Sequence, residues 1–318
     1  MKSLITGITG FVGSHLAEYL LAQREEVFGT YRWRSPLENI KSFLDKVKLD
    51  ECDIRDLSAI IKVIDKVKPD YIYHLAAQSF VPASFANPKD TVDVNLIGTL
   101  NILEAVRILN IEPTIHVCST SDVYGEIKES EVPIKETNPL RPISPYAISK
   151  AAADMLARGY FLSFGTKTIR TRAFNITGPR RGEVFAESSF AKQIAQIEKG
   201  QRRPEIFVGN LKSVRTFVDV RDIARAYFLV VRKGKPGEVY NIAGDATMTI
   251  GKILDILISL SSMDKRIKVK IDPKLFRPAD SISKIPDDSR FRKMSGWKPK
   301  VPIEKSLEDL LAFWRARV

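Results

Sequence analysis

A glycine-rich turn near the N-terminus constrains the fold of this chain more than any other feature. The stretch ITGITGFVG places Gly7, Gly10 and Gly13 between an apolar strand, SLIT, and an amphipathic helix. Without side chains, the turn can tighten and its N–H groups can approach a pyrophosphate at the positive end of the helix. Such glycines can also serve a purely structural turn, but their position between strand and helix favours a nucleotide-binding turn.

The first half of the 318-residue chain alternates short β-branched stretches with amphipathic helical patterns. The predicted strands are SLIT, EEVFGT, KVKLDECD, PDYIYHLAA, PTIHVCST and TKTIRTRAF. Continuous apolar strands that alternate with helices indicate a parallel sheet covered on both faces. We therefore predict an α/β fold with a Rossmann-type doubly wound parallel sheet.

The rhythm changes after Phe174 to longer loops and isolated helical patterns. This change predicts a smaller α/β C-terminal domain packed over the carboxyl edge of the sheet, where ligands of such folds bind. We place the cofactor-binding domain at 1–174 and the substrate-binding domain mainly at 175–318, with some segments returning to the first domain. The stretch FRPADSISKIPDDSRFRKMSGWKPKVP is expected to be an ordered loop.

Composition and residue spacing exclude several classes of protein. Hydrophobic residues at 44% and charged residues at 28% argue against disorder. The N-terminal sequence has no signal-peptide pattern and no apolar segment reaches transmembrane length, so we expect a cytoplasmic protein without membrane contact. Cys52 and Cys118 have neither zinc spacing nor disulfide density and are expected to fill the core. His74 and His116 lie in predicted strands, so no metal site is expected.

The charge balance favours partners that carry phosphate. Fifty basic and 38 acidic residues give a net charge of +12, which attracts polyanions. The charges are scattered, and no basic helix or aromatic-interleaved repeat of a nucleic-acid module is present. A phosphate-bearing cofactor and substrate are therefore favoured over nucleic acid.

The residues that follow the second strand indicate which dinucleotide would bind. An acid at this point binds the free ribose hydroxyls of NAD, whereas arginine accommodates a 2′-phosphate. The strand VFGT leads into YRWRS, which contains Arg32 and Arg34 and no acid. NADP is therefore favoured, with NAD as the alternative. The two arginines could instead be exposed surface residues or contacts to a partner subunit, and Asp53 could accept a hydrogen bond from the adenine amino group.

A tyrosine and a lysine lie four residues apart in SPYAISK, on one face of a predicted helix. An ammonium group at Lys150 would favour the phenolate of Tyr146 and lower its pKa toward working pH. The phenol could then exchange a proton with a sugar hydroxyl while a nicotinamide exchanges hydride with its carbon. This pair is a weak signal alone. It becomes strong with the glycine turn and with Thr120, a hydroxyl at the end of an intervening strand that can hydrogen-bond the reacting oxygen.

Motifs along nearly the whole chain resemble the extended short-chain dehydrogenase/reductase family in its nucleotide-sugar branch. The motifs are TGITGFVG, HLAAQS, STSDVYG, SPYAISK and FNITGPRRGE. The resemblance implies a Rossmann-type domain with a C-terminal nucleotide-sugar domain, bound NADP or NAD, and catalysis by Thr120, Tyr146 and Lys150. It also implies a homodimer or homotetramer. The helical patterns TVDVNLIGTLNILEAVRIL and SPYAISKAAADMLARGYFLSFG are apolar over more than one face, which is consistent with a dimer interface, but they could equally be buried within one chain.

The resemblance also assigns binding residues. The cofactor-binding positions are Gly7, Thr9, Gly10, Phe11, Val12, Gly13, Arg32, Arg34, Ser35, Asp53, Ile54, Leu75, Ala76, Ala77, Asn95, Tyr146, Lys150 and Phe174. The substrate-binding positions are Ser79, Ser84, Thr120, Asn175, Arg181, Lys192, Arg215 and Arg277. The resemblance implies that Arg215 and Arg277 bind the phosphates with the assistance of Lys192 and that Asn175 contacts the diphosphate region, whereas Arg181 could reach substrate, cofactor or a neighbouring subunit. A surface salt bridge is an alternative for each arginine, and either serine could be structural.

Different segments resemble two consecutive enzymes of this branch. TSDVYG, AQSFVPASF and PRRGEVF are similar to GDP-mannose 4,6-dehydratases, whereas VGNLKSVRTFVDVRDI and GWKPKVPIEKSLEDLL are similar to GDP-4-keto-6-deoxymannose reductases. The resemblance implies a GDP-linked sugar substrate. We favour dehydration of GDP-mannose. The alternatives are reduction of the 4-keto sugar to GDP-rhamnose and, after it, another nucleotide-sugar epimerase or dehydratase activity. A noncatalytic NADP sensor is a third reading, against which the intact Tyr146 and Lys150 argue.

Asp122 bears on the choice between these activities. Dehydration needs a carboxyl group that removes the C5 proton and protonates the departing C6 hydroxyl. Dehydratases carry it two residues after the threonine, generally as glutamate, and here Asp122 is one methylene shorter. Related reductases often keep an acid there too. Asp122 could instead satisfy backbone N–H groups in a turn or cap.

Overall fold

The strands of the first half form one parallel sheet at the centre of the molecule. A computed structural model describes residues 1–276 and 283–318, without the side chains of Ser283 and Lys284. Seven strands form this sheet in the order Val239–Ile242, Thr168–Ala173, Thr114–Thr120, Tyr71–His74, Lys2–Thr6, Glu26–Tyr31 and Lys48–Glu51, and every neighbouring pair is parallel. The predicted Rossmann-type doubly wound sheet is confirmed.

The elements of the described residues are numbered in chain order. The strands of the central sheet are β1 (Lys2–Thr6), β2 (Glu26–Tyr31), β3 (Lys48–Glu51), β4 (Tyr71–His74), β5 (Thr114–Thr120), β6 (Thr168–Ala173) and β10 (Val239–Ile242). The remaining strands are β7 (Asn175–Thr177), β8 (Glu205–Val208), β9 (Val214–Asp219), β11 (Ala246–Thr249), β12 (Lys268–Ile271) and β13 (Ser283–Lys284). The helices are α1 (Phe11–Ala22), α2 (Leu57–Val67), α3 (Val81–Ala86), α4 (Pro88–Val92), α5 (Gly98–Ile108), α6 (Pro145–Phe164), α7 (Ala186–Glu198), α8 (Val220–Lys233), α9 (Ile250–Ser259), α10 (Ser289–Ser295) and α11 (Ile303–Arg315).

Helices cover both faces of the central sheet, as its apolar strands require. On one face, α1 and α8 bury side chains such as Leu16 and Tyr227 against the strands. On the other face, α2, α5 and α6 enclose a second core that includes Ile64 and Leu103. Because β10 and α8 follow residue 175, the second half of the chain returns to this sheet. The division into domains at residue 174 stays a prediction.

The second half of the chain builds two smaller sheets beside the carboxyl edge of the large one. Strands β7, β11 and β13 pair with β9, and β12 pairs with β8. Helices α7, α9 and α11 enclose a separate core around Phe190, Leu254 and Leu310. No helix of the described residues is long and apolar enough to cross a membrane.

Two local predictions need correction. The stretch predicted as a loop contains α10. This helix places Phe291 in the core, where the ring centroids of Phe291 and Trp297 are 5.6 Å apart. Helix α10 is only seven residues long, which is too short to give a clear periodic pattern in the sequence, and its contact with Trp297 is formed only in the folded chain. The stretch TVDVNLIGTLNILEAVRIL, whose pattern predicts one continuous helix, is divided into the end of α4, a π-helical segment at Asp93–Ile97, and α5.

The buried polar and sulfur-bearing residues follow the sequence prediction in part. His74 and His116 are buried in β4 and β5, and no group of metal-ligating side chains occurs in the described ranges. Cys52 is buried, whereas Cys118 is only half-buried. The Cys118 Sγ lies 3.2 Å from the Tyr227 hydroxyl, so this thiol contacts a polar group inside the protein.

Candidate active site

The glycine turn lies at the carboxyl edge of the sheet, where β1 meets α1. Gly7 has φ +74°, and a Cβ there would lie 2.9 Å from Ala76 Cα. A Cβ on Gly13 would lie 2.3 Å from the Gly7 carbonyl oxygen. Gly10 caps α1 without a side-chain hydrogen bond, and the first turn of the helix has no acidic residue. The N–H groups at this helix end are therefore well suited to an anion.

The end of β2 presents the two predicted arginines to solvent. Arg32 directly follows the strand, and Arg34 has a φ of +60° in the turn closed by the Ser35 N–H donating to Arg32 O. Asp53 accepts hydrogen bonds from the guanidinium of Arg55, at 2.6 Å for the closest pair. This bond lowers the pKa of Asp53, and the positive charge of Arg32 adds to the effect. Arg32 and Asp53 therefore lie near one another at this end of the sheet.

Buried side chains hold the loop after β4 in place by hydrogen bonds to its backbone. The Thr6 hydroxyl accepts from the backbone N–H groups of Leu75 and Ala76, both at 3.2 Å. The Asn95 amide bonds both backbone groups of Gln78 and the Ser149 hydroxyl, and the residue is 1% exposed. Asn95, expected to contact the cofactor, therefore supports the loop from inside the protein.

The other predicted cofactor positions divide by exposure. The positions that are at least half-buried but reach the surface are Thr9, Phe11, Val12, Ser35, Leu75, Ala76 and Ala77. Two others belong to the core: Ile54 is 4% exposed and Phe174 is 2% exposed. The Phe174 N–H donates to Ile242 O at 2.9 Å, so its backbone joins the edge of β10.

The predicted catalytic side chains come together at the carboxyl end of β5. Tyr146 lies in the first turn of α6, which Ser144 caps by accepting from the Ala147 N–H at 3.1 Å. The Thr120 side chain lies close enough to the Tyr146 phenol to lower its pKa. Thr120 Oγ1 also accepts from the Asp122 N–H at 3.2 Å, which begins the short turn Ser121–Tyr124. The charge of Asp122 acts directly on Tyr146.

The pKa of Tyr146 differs from the sequence expectation. Burial raises the pKa of the phenol, and the Asp122 carboxylate and the neighbouring Cys118 raise it further. The Thr120 side chain and the positive charge of Arg181 act in the opposite direction without cancelling the rise. Lys150 is not among these influences. The expected lowering by Lys150 is therefore not found, because desolvation of the phenolate outweighs the nearby positive charge.

Lys150 is buried in α6, one turn after Tyr146. Burial lowers the pKa of its ammonium, and the neighbouring Cys118 and the Asp154 carboxylate raise it again in part. Within 1–276 and 283–318, the Lys150 ammonium forms no hydrogen bond or salt bridge. Burial together with its positive charge lowers the pKa of His74 and His116 to about 3, so both imidazoles are neutral. A buried ammonium of this kind suits a hydroxyl-rich ligand.

Cys118 is part of this site although the sequence interpretation assigned it to the core. It lies two residues before Thr120 on β5, so both side chains share one face of the sheet. Its influence on the pKa values of Tyr146 and Lys150 shows that it lies near both groups. The two-residue strand period was the sequence signal that could have identified it.

The predicted substrate residues differ in their exposure to solvent. Asn175 is half-buried in β7, and Ser79 is exposed. Arg215 is 6% exposed in β9 and its Nη1 donates to Val214 O at 2.8 Å. Ser84 is fully buried with its hydroxyl donating to Val81 O, so it stabilises α3 from within. Arg277 lies outside the described residues.

Two basic residues of this set have aromatic neighbours. Lys192 binds Glu183 and lies 5.2 Å from the centroid of the Trp314 ring. The Arg181 guanidinium lies 3.5 Å from the Phe185 ring centroid and 5.2 Å from that of Phe11. Since Phe11 is the first residue of α1, Arg181 lies between the glycine turn and Tyr146. Arg181 is thus close to the predicted cofactor site as well as to the substrate side.

Comparison with known proteins agrees with this geometry. A family model described as GDP-mannose 4,6 dehydratase matches residues 4–310. The GDP-6-deoxy-D-mannose reductase of Pseudomonas aeruginosa is 32% identical, over 100% of this chain and 98% of its own length. The GDP-mannose 4,6-dehydratase of Yersinia enterocolitica is also 32% identical, over 98% of this chain and 93% of its own.

Solved structures share the whole fold. RMD from Pseudomonas aeruginosa, complexed with NADPH, superposes with a TM-score of 0.84 at 30% identity, over 100% of this chain and 99% of the other. The UDP-glucose 4-epimerase of Thermus thermophilus, in complex with NAD, gives a TM-score of 0.87 at 30% identity over 100% of both chains. Both dinucleotides are therefore found on this fold.

Proposed function

The chain belongs to the GDP-mannose 4,6-dehydratase family of extended short-chain dehydrogenase/reductase enzymes, and we propose that it converts GDP-mannose to GDP-4-keto-6-deoxymannose with bound NADP. The observation that carries the proposal is the placement of Asp122, whose carboxylate lies near enough to the Tyr146 phenol to raise its pKa and whose N–H donates to Thr120 Oγ1 at 3.2 Å. A proton-transferring carboxyl beside a tyrosine and a threonine provides the groups that an elimination next to an oxidised carbon requires.

The residues present fit a dinucleotide with a 2′-phosphate. A Cβ at Gly7 or Gly13 would collide with backbone, so the turn keeps the close approach that a pyrophosphate needs. Exposed Arg32 and Arg34 follow β2 and suit a 2′-phosphate, with NAD as the alternative cofactor. The buried ammonium of Lys150 would hold ribose hydroxyls. The chemistry that NADP supplies when bound is reversible hydride exchange with sugar carbons.

The chain's own residues would move the protons. Thr120 would hold the sugar O4, and Tyr146, once its phenol has lost its own proton, would take the O4 proton during oxidation. Asp122 would remove the C5 proton, made acidic by the C4 carbonyl, and pass a proton to the departing C6 hydroxyl. The net change is loss of one water without net oxidation or reduction. No external reductant would therefore be consumed.

Several basic residues would bind the nucleoside diphosphate. Arg215 in β9 and Lys192 on α7 are candidates for the phosphates, and Asn175 in β7 for the adjoining region. Arg181 would bind between the two ligands, since its guanidinium lies near both Phe11 and Tyr146. The guanine base rests on family membership.

Incubation with GDP-mannose without added reductant tests the proposal. Mass spectrometry should detect a product that has lost one water, in the absence of NADPH consumption. Absence of this product, together with NADPH consumption on the 4-keto sugar, would reverse the assignment in favour of the reductase.

The reductase is the second candidate, and the pKa of Tyr146 favours it. A phenol with a raised pKa is protonated at neutral pH and suits proton donation to a carbonyl oxygen. The P. aeruginosa reductase matches this chain over its full length. Reduction would need Thr120, Tyr146 and Lys150 with external NADPH and would leave Asp122 without an elimination step.

A homodimer is proposed from the surface of α6. Ile148, Met155 and Leu162 are 52%, 64% and 67% exposed and lie seven residues apart, on one stripe of the helix. Exposed apolar stripes of this kind mark interaction surfaces, and a second copy would cover this one. A cytoplasmic location stays a prediction.

A further inference from the structure

A buried ionic cluster lies behind the proposed catalytic residues. Asp154, in α6 one turn after Lys150, is fully buried and both of its carboxylate oxygens accept hydrogen bonds. Arg170 Nη1 donates to Oδ1 at 2.9 Å, and Arg172 Nε donates to Oδ2 at 2.9 Å. The two arginines are alternate residues of β6, so both point to the same face of the sheet.

Arg172 extends the cluster to a second structural element. Its Nη1 donates to the Tyr124 hydroxyl at 3.1 Å, and the guanidinium lies 5.1 Å from the Tyr124 ring centroid. The same nitrogen donates to Glu136 O at 3.0 Å. Tyr124 is 1% exposed and donates from its hydroxyl to Asn241 Oδ1 at 2.7 Å. One guanidinium therefore bonds α6, the turn that ends at Tyr124, and a neighbouring loop.

These two elements carry different halves of the proposed catalytic set. Helix α6 contains Tyr146 and Lys150, whereas the turn that follows β5 contains Thr120 and Asp122. The Gly125 N–H donates to Asp122 O at 3.1 Å, which joins Tyr124 closely to the acid. A displacement of about 1 Å between such groups is enough to lower turnover severely.

Stability alone is a poor reason for this cluster. Removing two guanidinium groups and a carboxylate from water costs much of what their attraction returns, and apolar replacements are often as stable. The Arg170 Nε is buried and has no hydrogen-bond partner among the described residues. The planar guanidinium of Arg172 donates hydrogen bonds in fixed directions to two partners at once, which apolar packing would not do.

We propose that Arg172, Asp154 and Tyr124 form a clamp that holds α6 in register with the Thr120–Asp122 turn and so sets the spacing of the catalytic groups. This inference rests on the proposed function for its catalytic part. The three are positioning residues, since they act through Tyr146 and Thr120. Removal of the Tyr124 hydroxyl is the best test of the clamp, because replacement of Arg172 would leave the buried Asp154 carboxylate without a counter-charge and could prevent folding.

Tyr124→Phe removes the hydroxyl and keeps the ring. The matched control is Tyr160→Phe, which removes a buried hydroxyl that bonds Glu104 Oε1 near the other end of α6. Hydrogen–deuterium exchange of the ligand-free proteins should rise about tenfold for residues 120–125 and for the first turn of α6 in Tyr124→Phe only. In the same variant, kcat should fall about 10- to 100-fold with KM changed by no more than about twofold.

The two readouts separate failure of the clamp from failure of the proposed function. Equal exchange at residues 120–125 in both variants would overturn the clamp, whatever reaction the enzyme performs. Faster exchange with unchanged kcat would overturn its role in positioning. If the unaltered protein turns over neither GDP-mannose nor the 4-keto sugar, the proposed function is wrong, and exchange alone then supports or overturns the clamp.

Discussion

The side chain of Thr120, at the end of β5, lies near the phenol of Tyr146, in the first turn of α6, and acts to lower its pKa. Burial raises the pKa of this phenol, and the nearby Asp122 carboxylate raises it further. The ligand-free site therefore holds a protonated tyrosine next to an anionic group.

Replacing Tyr146 with Phe should abolish most turnover and leave cofactor binding intact. The phenol is the only proposed group that exchanges the O4 proton, and loss of such a group lowers kcat about 10²- to 10⁴-fold. Turnover and NADPH affinity, the latter from nucleotide fluorescence, are measured side by side with Tyr160→Phe as the matched control. A noncatalytic NADP sensor would show no turnover in either variant and unchanged partner binding.

Replacing Asp122 with Asn should separate dehydration from reduction. Dehydration of GDP-mannose should fall by about 10²-fold or more, because the C5 and C6 proton transfers lose their carboxyl group. Reduction of the 4-keto sugar would be retained if the chain is a reductase. Product analysis by mass spectrometry distinguishes the two results.

The same variant should also shift the titration of Tyr146. Since the Asp122 charge raises the pKa of the phenol, its removal should lower that pKa and let the phenolate form at lower pH. Ultraviolet difference titration, with Tyr146→Phe as the reference, isolates this phenol. An unchanged or higher pKa would contradict the electrostatic arrangement described above, independently of any activity.

Reversing the charge of Arg32 should reduce discrimination in favour of NADPH. Loss of a charge-assisted bond to the 2′-phosphate should weaken NADPH binding about 10- to 100-fold and change NADH binding little. Arg32→Glu is compared with Arg24→Glu, an exposed arginine at the opposite end of the sheet with the same change in net charge. Equal losses in both variants would show that only the overall charge matters.

Acid should weaken the fold through Asp154. Burial alone would raise the pKa of this carboxyl, but the hydrogen bonds and charges of Arg172 and Arg170 outweigh it and hold the pKa below its ordinary 3.8. Its stabilising contribution is therefore present above that ordinary value and is lost as pH falls through the lower folded value. Asp154→Asn should cost about 3–5 kcal/mol at neutral pH, because two buried guanidinium groups lose their counter-charge.

Denaturant unfolding across the acid range checks this prediction. The free energy of unfolding of the unaltered protein should decline below about pH 4, and the difference from Asp154→Asn should shrink in the same interval. A difference that stays constant down to the acid limit would show that the carboxylate charge is not what stabilises this part of the core.

A charge on the exposed stripe of α6 should prevent association. Leu162→Glu should yield a monomer, because burial of an unpaired carboxylate in an apolar interface is unfavourable. Light scattering after size-exclusion chromatography reports the mass, with Ile271→Glu on β12 as a control of equal 67% exposure. A protein that is monomeric before substitution would refute the proposed dimer.

Local patterns in the sequence determined the framework of this protein. The glycine turn, the apolar strands and the intervening helices identify a doubly wound parallel sheet, because backbone geometry and burial impose periods of two and 3.6 residues. The same reasoning identifies Tyr146 and Lys150, since a spacing of four lies within one helix. Their placement on one face of α6 needs no information from distant residues.

Only the tertiary structure decided what surrounds these groups. Asn95 and Ser84, assigned to binding from the sequence, form hydrogen bonds with groups inside the protein. Arg181 lies against Phe11, 170 positions earlier in the chain, and Asp154 meets Arg172 across two elements. The pKa of Tyr146 is raised rather than lowered. Burial and charge depend on which distant segments pack together, and a local pattern contains neither the distances nor the desolvation that set them.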